Sequence, residues 1–345
     1  MTTQVTISTD VVHADGLEIT RRLEAHAQAA RGALADQTCR ALASDSRMWS
    51  AWCAKRNVSP LPAEPAAVVA FVDAQAEIKS PATVRRYIAT IAHMHRAAEL
   101  ADPTKAEIVR LAVKRLVRSK GSRQRQAAPL GELAAERILA TQPKTLAGLR
   151  NVALMLVMRD LLARRSEAAV LKVEDITFAE DGSATVLIAR SKTDQEGAGA
   201  VRWLSPRTTA ALRAWLDGAG IASGPVFRAI RKNGVAKPSP LEAGEIARLL
   251  KDMATKAGID PTMISGHSAR VGMSQDLVAA GADLAAVMQA GRWKTPTMPA
   301  RYSEHLLAAK GAVAQYYQRP RHHDAWDCKK ILAKWALFAF RRPAE

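Results

Sequence analysis

His267 and Arg270, the residues best suited to chemistry on a phosphate, stand three positions apart in Ser265-Gly-His-Ser-Ala-Arg-Val-Gly272. Gly266 and Ser268 mark a helix start, which places both side chains on one face near a positive N-terminal end. Arginine offers a planar fork that takes two phosphate oxygens at once, and histidine exchanges a proton near neutral pH. Downstream come Met288-Gln-Ala-Gly-x-Trp293 and, nine residues after Trp293, Tyr302, one of four tyrosines. Each part has a plainer reading when taken alone. A His-x-x-Arg pair is ordinarily a surface pair, a helix tyrosine a half-buried packing residue, and a tryptophan a core anchor. Other chemistries lack their motifs: there is no phosphate-cradling glycine loop followed by lysine, no His-Glu-x-x-His and no Gly-x-Ser-x-Gly. No carboxylate cluster could hold two metal ions, so phosphodiester cleavage here would rely on cationic side chains, with no metal and no cofactor. His93 and His95 read as packing or surface residues, and His322-His323 lacks the further ligands a metal site needs.

The composition narrows the partner. In 345 residues, 50 Lys plus Arg stand against 33 Asp plus Glu, a net charge of +17, and 48% hydrophobic residues suffice for a buried core. Disorder of the whole chain is excluded, and a polyanion is the expected partner. The most apolar runs, Val152 to Met158 and Ile331 to Phe340, are short or broken by Lys334, and the start lacks a basic segment leading into an apolar one. Membrane insertion and secretion are not expected. Cys39, Cys53 and Cys328 are far apart, forming no disulfide framework or paired metal spacing, which fits a reducing cytoplasm.

Those residues need a frame. The polar residues 1–20 read as a flexible arm, and 21–118 as a small helical domain. Within it, one helix runs through Thr38, Leu42, Trp49 and Trp52, and another from Ala66 to Ala76. A third opens at the Ser80 cap with Pro81 at its first position, and a fourth at Asp102-Pro103. Lys105, Arg110, Lys114, Arg115, Arg118, Lys120, Arg123 and Arg125 face only Glu107. A solvated helix would explain this run, but same-sign charges repel unless something neutralises them, and a phosphate backbone would. Residues 119–128 have linker composition, and a second domain spans 129–320. It holds helices near 130–141 and 145–162, then β-prone runs at 184–190 and 200–204 around a polar loop. Helices follow near 206–216, 242–257, 268–280, 283–290 and 296–303, with Asn233-Gly234 as a turn; 321–345 is a C-terminal extension.

Gly266-His-Ser-Ala-Arg-Val-Gly272, Met288-Gln-Ala-Gly-x-Trp293 and Tyr302 together resemble the catalytic signature of the tyrosine site-specific recombinases, the phage integrase family, and within it the Cre-like branch. Trp49-Ser-Ala-Trp-Cys, Pro62-Ala-Glu-Pro65 and Met94-His-Arg resemble that branch's core-binding domain, and Arg231-Lys-Asn-Gly-Val-Ala a loop of its catalytic domain. The resemblance implies a mainly α fold with a small antiparallel β-sheet: a helical core-binding domain plus a mixed α/β catalytic domain. It makes Tyr302 the nucleophile, Arg164 and Arg270 the phosphate-clamping arginines, Lys192 a mobile general acid and His267 a proton manager. Trp293 would wall the pocket, and Glu167 would orient the site. The family usually has an apolar residue after the first arginine, where this chain has Arg165.

The same resemblance implies two domains clamped around duplex DNA that carries a target site with inverted repeats. A homotetramer would join two sites and exchange strands through a 3′-phosphotyrosyl link and a Holliday junction, in a cytoplasmic, nucleoid-associated setting. Arg40, Arg47, Lys79, Arg85 and Arg86 are the implied groove-facing residues, and Lys114, Arg115, Arg118, Lys120 and Arg123 the phosphate-gripping ones. The helix near 242–257 takes the place of a base-reading helix, and Gly311-Ala-Val-Ala-Gln-Tyr-Tyr that of a short helix buried in a neighbouring subunit. The alternative is a catalytically silent, sequence-specific DNA-binding protein of the same fold.

Overall fold

The computed structural model describes residues 9–189 and 198–318. They form two compact units, Met1–Arg125 and Gln126–Glu345. The described part of the first unit is helical: α1 (Thr9–Ala29), α2 (Asp36–Ala54), α3 (Pro65–Ile78), α4 (Pro81–Ala97) and α5 (Glu107–Lys120). Proline at the first position opens α3 and α4, and the Ser80 side chain accepts the Thr83 amide at the start of α4. Asp102-Pro103 starts only a single 3₁₀ turn, Pro103–Lys105, because Ala106 is extended (φ −62°, ψ 140°) and the α-helix restarts at Glu107. The core forms where Trp49 and Trp52 stack at 5.6 Å and both meet Phe71 edge-on, with Tyr87 and Ile91 closing the cluster.

The expected arm gives way to helix from Thr9 onward. Ile19, Arg22, Leu23 and His26 recur at helical spacing and are half-buried. The His26 ring meets His93 of α4 edge-on at 5.1 Å, and Arg22 Nη1 donates to the Ala98 carbonyl at 3.3 Å. Docking of this stripe on α4, rather than intrinsic propensity, accounts for the helix.

The second unit is built around α7 (Leu146–Asp160), buried on every side from Ala153 to Met158. Around it lie α6 (Glu132–Thr141), α8 (Arg165–Val170), α9 (Pro206–Gly218), α10 (Ala243–Lys256) and α11 (Ser268–Ala279). Strands β1 (Ile176–Phe178), β2 (Ala184–Ile188) and β3 (Ala200–Leu204) make an antiparallel sheet in that order, with Ile176 opposite Val186 and Val186 opposite Arg202. Ala184, Val186 and Ile188 face the core, while Leu187, Val201 and Trp203 stay exposed. Asn233-Gly234 turns a second hairpin, β4 (Arg228–Ile230) with β5 (Ala236–Pro240), hidden in the sequence by Lys237, Pro238 and Pro240. The chain then adds α12 (Leu284–Gly291), α13 (Thr297–Tyr302), α14 (Glu304–Ala309) and α15 (Ala312–Gln318). The protein is therefore mainly α with small antiparallel sheets.

Two close approaches fix α11, which carries Arg270. A Cβ on Gly272 would stand 2.1 Å from the Leu130 carbonyl oxygen, so the helix lies directly against the chain there. Buried Arg159 of α7 donates to the Leu130 carbonyl, to Glu132 Oε2 at 2.6 Å and to Asp276 Oδ2 of α11 at 2.9 Å, tying α6, α7 and α11 together.

Candidate active site

Two turns in left-handed conformation frame the site. One is at Leu162 (φ 44°), after α7; the other is at Arg292 (φ 56°, ψ 44°), at the end of α12. A non-glycine residue there is strained by about 1–2 kcal/mol, which surrounding contacts must offset. Arg270 bridges the two turns: Nη1 donates to the Leu162 carbonyl and Nη2 to the Gly291 carbonyl at 2.5 Å. Its side chain is almost wholly buried, and its guanidinium lies 4.1 Å from the centre of the Trp293 ring. Trp293 can fold back in this way because residue 291 is glycine; a Cβ there would stand 1.9 Å from the indole.

Tyr302 ends α13, and its ring meets Trp293 edge-on at 5.8 Å. Its backbone carbonyl accepts Gln275 Nε2 at 2.8 Å and Gln126 Nε2 at 3.3 Å, so the turn bearing the phenol is anchored from two sides. Arg164 caps α8 with its side chain turned inward, where Nη1 donates to Glu167 Oε1 at 2.6 Å. Arg165 is exposed and lies over Gly266, where a Cβ would come within 2.7 Å of its Cδ. His267 occupies the exposed turn before α11, its amide donating to Ser265 Oγ at 3.1 Å. Contacts thus link Arg270 with Trp293 and Trp293 with Tyr302, and join Arg164 to Glu167, while His267 stands one turn from Arg270. Lys192 and the 321–345 extension lie outside the described residues.

Sequence reasoning missed Arg292, the unnamed position before Trp293. Its Nη2 donates to Glu167 Oε2 at 2.6 Å and its Nη1 to the Leu161 carbonyl at 3.1 Å, from a side chain only 8% exposed. Arg202 of β3 was missed as well; it donates to the Gln289 and Ala290 carbonyls at 2.7 and 3.2 Å, satisfying the end of α12. Nothing in the spacing marks either residue, because each is defined by a partner far away in the chain.

Three guanidiniums, Arg164, Arg270 and Arg292, thus crowd one carboxylate. Burial foremost, then the charges of Arg164 and Arg292, push the Arg270 pKa down to about 9. Burial also lowers that of Arg292, against the pull of Glu167. Such surplus positive charge, out of water, is suited to an anion such as a phosphodiester. Among the described residues no group of His, Cys, Asp and Glu could hold a metal ion, and no helix is long and apolar enough to cross a membrane.

Residues 130–308 match the phage integrase family. The chain belongs to that family. It is 30% identical over 311 residues to the Cre recombinase of Escherichia phage P1, covering 83% of this chain and 89% of that one. To an integrase/recombinase XerD homologue of Selenomonas ruminantium it is 32% identical over 281 residues, covering 78% and 82%. In fold it resembles a lambda integrase dimer bound to a core site, with a TM-score of 0.58 at 13% identity over 94% of this chain and 85% of that one. The protein is accordingly a tyrosine site-specific recombinase by family.

In this recombinase the expected DNA contacts of the first unit are displayed unequally. Arg40, Arg47, Arg85, Lys114, Arg118 and Arg123 are exposed, on α2, α4, α5 and the segment after it. Arg86 pairs with buried Asp45 at 3.0 Å, and Arg115 with Asp73 at 2.8 Å, so both are engaged within the fold. Lys79, Lys120 and Arg123 line a cleft of about 490 Å³ with Ser80 and Arg125.

Proposed function

We propose that the protein cleaves and rejoins DNA at a specific site through a covalent 3′-phosphotyrosyl intermediate on Tyr302. The phenol oxygen attacks the scissile phosphorus in line, and the bond from phosphorus to the 5′-oxygen breaks. The phenol proton passes to His267, and the departing 5′-oxygen takes a proton from Lys192. The phosphotyrosyl link retains the bond energy, so attack by a 5′-hydroxyl reverses the step with neither ATP nor metal. Arg164 and Arg270 hold the non-bridging oxygens, where charge accumulates in the transition state. Glu167 orients Arg164, and Trp293 walls the pocket.

The observation that carries this reading is the run of contacts in which Trp293 lies over the buried Arg270 guanidinium and meets Tyr302 at its edge. The exposed cations of the first unit support a grip on the duplex backbone, with affinity falling steeply as salt rises. Four protomers on two sites with inverted repeats would exchange strands through a Holliday junction, and exposed Val313, Tyr316 and Tyr317 of α15 are suited to packing on a neighbour. Work on chromosomal or plasmid DNA would place the protein with the nucleoid.

A nicked suicide duplex carrying the target site tests this reading. Protein is expected to become covalently attached to the DNA in EDTA, whereas Tyr302→Phe is expected not to attach. Attachment by the Phe variant would remove the nucleophile assignment, and strict dependence on Mg²⁺ would overturn the mechanism.

A further inference from the structure

We propose that Arg292 is a positioning residue for strand cleavage, acting through Glu167 to keep Arg164 available to the scissile phosphate; the inference rests on the function proposed above. Glu167 has two carboxylate oxygens, and three donors divide them. Oε1 takes Arg164 Nη1 at 2.6 Å, while Oε2 takes the Arg164 amide at 2.9 Å and Arg292 Nη2 at 2.6 Å. A guanidinium and a carboxylate left to themselves form a two-point fork that commits both oxygens. Here the second oxygen is already occupied, so Arg164 is held at one nitrogen. Among the described residues its side chain makes no other hydrogen bond. Charge is divided in the same way. One carboxylate cannot neutralise both arginines, so Arg164 retains positive charge to offer to the negative charge that develops on a phosphate.

Arg292 is also held from a second side. Its Nη1 holds the Leu161 carbonyl, three residues before Arg164, and its Nε is buried with no hydrogen-bond partner among the described residues. Its backbone is left-handed, a conformation that glycine adopts without strain. The position thus tolerates a strained backbone in order to present this side chain to Glu167. Arg292→Gly removes the guanidinium, relieves the backbone and leaves Glu167 able to close on Arg164 with both oxygens.

Single-turnover cleavage of the nicked suicide duplex by the full chain, with DNA affinity measured alongside, tests the proposal. Arg292→Gly is expected to slow cleavage about tenfold or more while affinity stays within about twofold. In a Glu167→Gln background, where no charge can close on Arg164, the same substitution is expected to change the rate less than about threefold. Arg292→Lys reaches Glu167 with a point charge but cannot also bridge to Leu161, and should regain part of the rate. A wild-type rate in Arg292→Gly, an equal loss in both backgrounds, or affinity falling in step with rate would each overturn the role. Tyr302→Phe separates the two claims: if it is inactive while Arg292→Gly cleaves at full rate, only the positioning role fails. Covalent product from Tyr302→Phe would instead sink the recombination mechanism itself.

Discussion

Trp49, Trp52, Phe71 and Tyr87 fill the interior of the first unit with neutral surface, whereas Arg159, Arg270 and Arg292 carry charge into the interior of the second. Some buried polar groups in the first are satisfied one by one, while Trp52 Nε1 and Gln75 Oε1 have no hydrogen-bond partner among the described residues. Trp49 Nε1 donates to the Pro60 carbonyl at 2.9 Å; His95 Nδ1 donates to the Ile91 carbonyl at 2.8 Å and its Nε2 accepts the Ala63 amide at 2.9 Å. A carbonyl can only accept, so these two bonds fix one neutral tautomer of His95. The arginines of the second unit are also hydrogen-bonded, and Arg159 has two carboxylates, Glu132 and Asp276, but Arg164 and Arg292 divide the single carboxylate of Glu167 and Arg270 is held only by backbone carbonyls. The first interior is built around neutral rings, and the second holds the buried Arg270 guanidinium on two backbone carbonyls.

The comparison breaks first at Trp49. Trp49→Ala removes stacking, edge contacts and the bond to Pro60, and is expected to destabilise the first unit by about 3–5 kcal/mol in denaturant unfolding. A loss below about 1 kcal/mol would mean that the aromatic cluster is not what holds the unit. His95→Phe keeps an aromatic ring at the position but leaves the Ala63 amide without its acceptor, at a cost of about 1–3 kcal/mol. Unfolding at the wild-type midpoint would show that water reaches and satisfies that amide.

The contrast also decides what could be read from the sequence. Helix starts were legible wherever one residue carries its own signal, as with Ser80-Pro81 and Ser205-Pro206, because capping is local. The paired strands were legible at 184–188 and 200–204 but not at 236–240, where the hairpin exists through pairing despite two prolines. In the site, Arg270, Trp293 and Tyr302 belong to a recognisable series. Arg292 stands inside that series yet has no signal of its own, since its meaning lies in Glu167, 125 positions away. Arg202 and the two glutamines on the Tyr302 carbonyl were unreadable for the same reason.

If the second interior is organised for an anion, a simple one should stabilise it. Arg270 binds its proton less tightly in the fold than in the unfolded chain, because burial and its neighbours lower its pKa to about 9. The unfolded state therefore binds more protons above that value, and the penalty of the charged group is fully present at any lower pH. An anion offsets that penalty. Sulfate at about ten times its dissociation constant should add about 1.4 kcal/mol, or about 3–6 °C in the melting of the second unit. Arg164→Met should lose most of that gain. Equal stabilisation of the variant would assign the effect to general salting-out and remove the distinction between the two interiors.

The smallest effect tests whether the site's scaffold depends on charge at all. Burial works against ionisation of Glu132, but the hydrogen bond from Arg207 and the charges of Arg159 and Arg207 outweigh it and hold the carboxyl below its usual range. The folded state then binds fewer protons than the unfolded one. The contribution is present above a pH of about 4.5 and is lost as the pH falls through the lowered value. Glu132→Gln should therefore shift the urea midpoint near neutrality and converge on wild type once the medium is acid enough to protonate the folded-state carboxyl. The side chain is 52% exposed, so the difference should stay below about 1 kcal/mol. A gap that persists unchanged into acid would mean that Glu132 acts by packing or neutral hydrogen bonding, leaving Asp276 as the charge that holds Arg159 between α7 and α11.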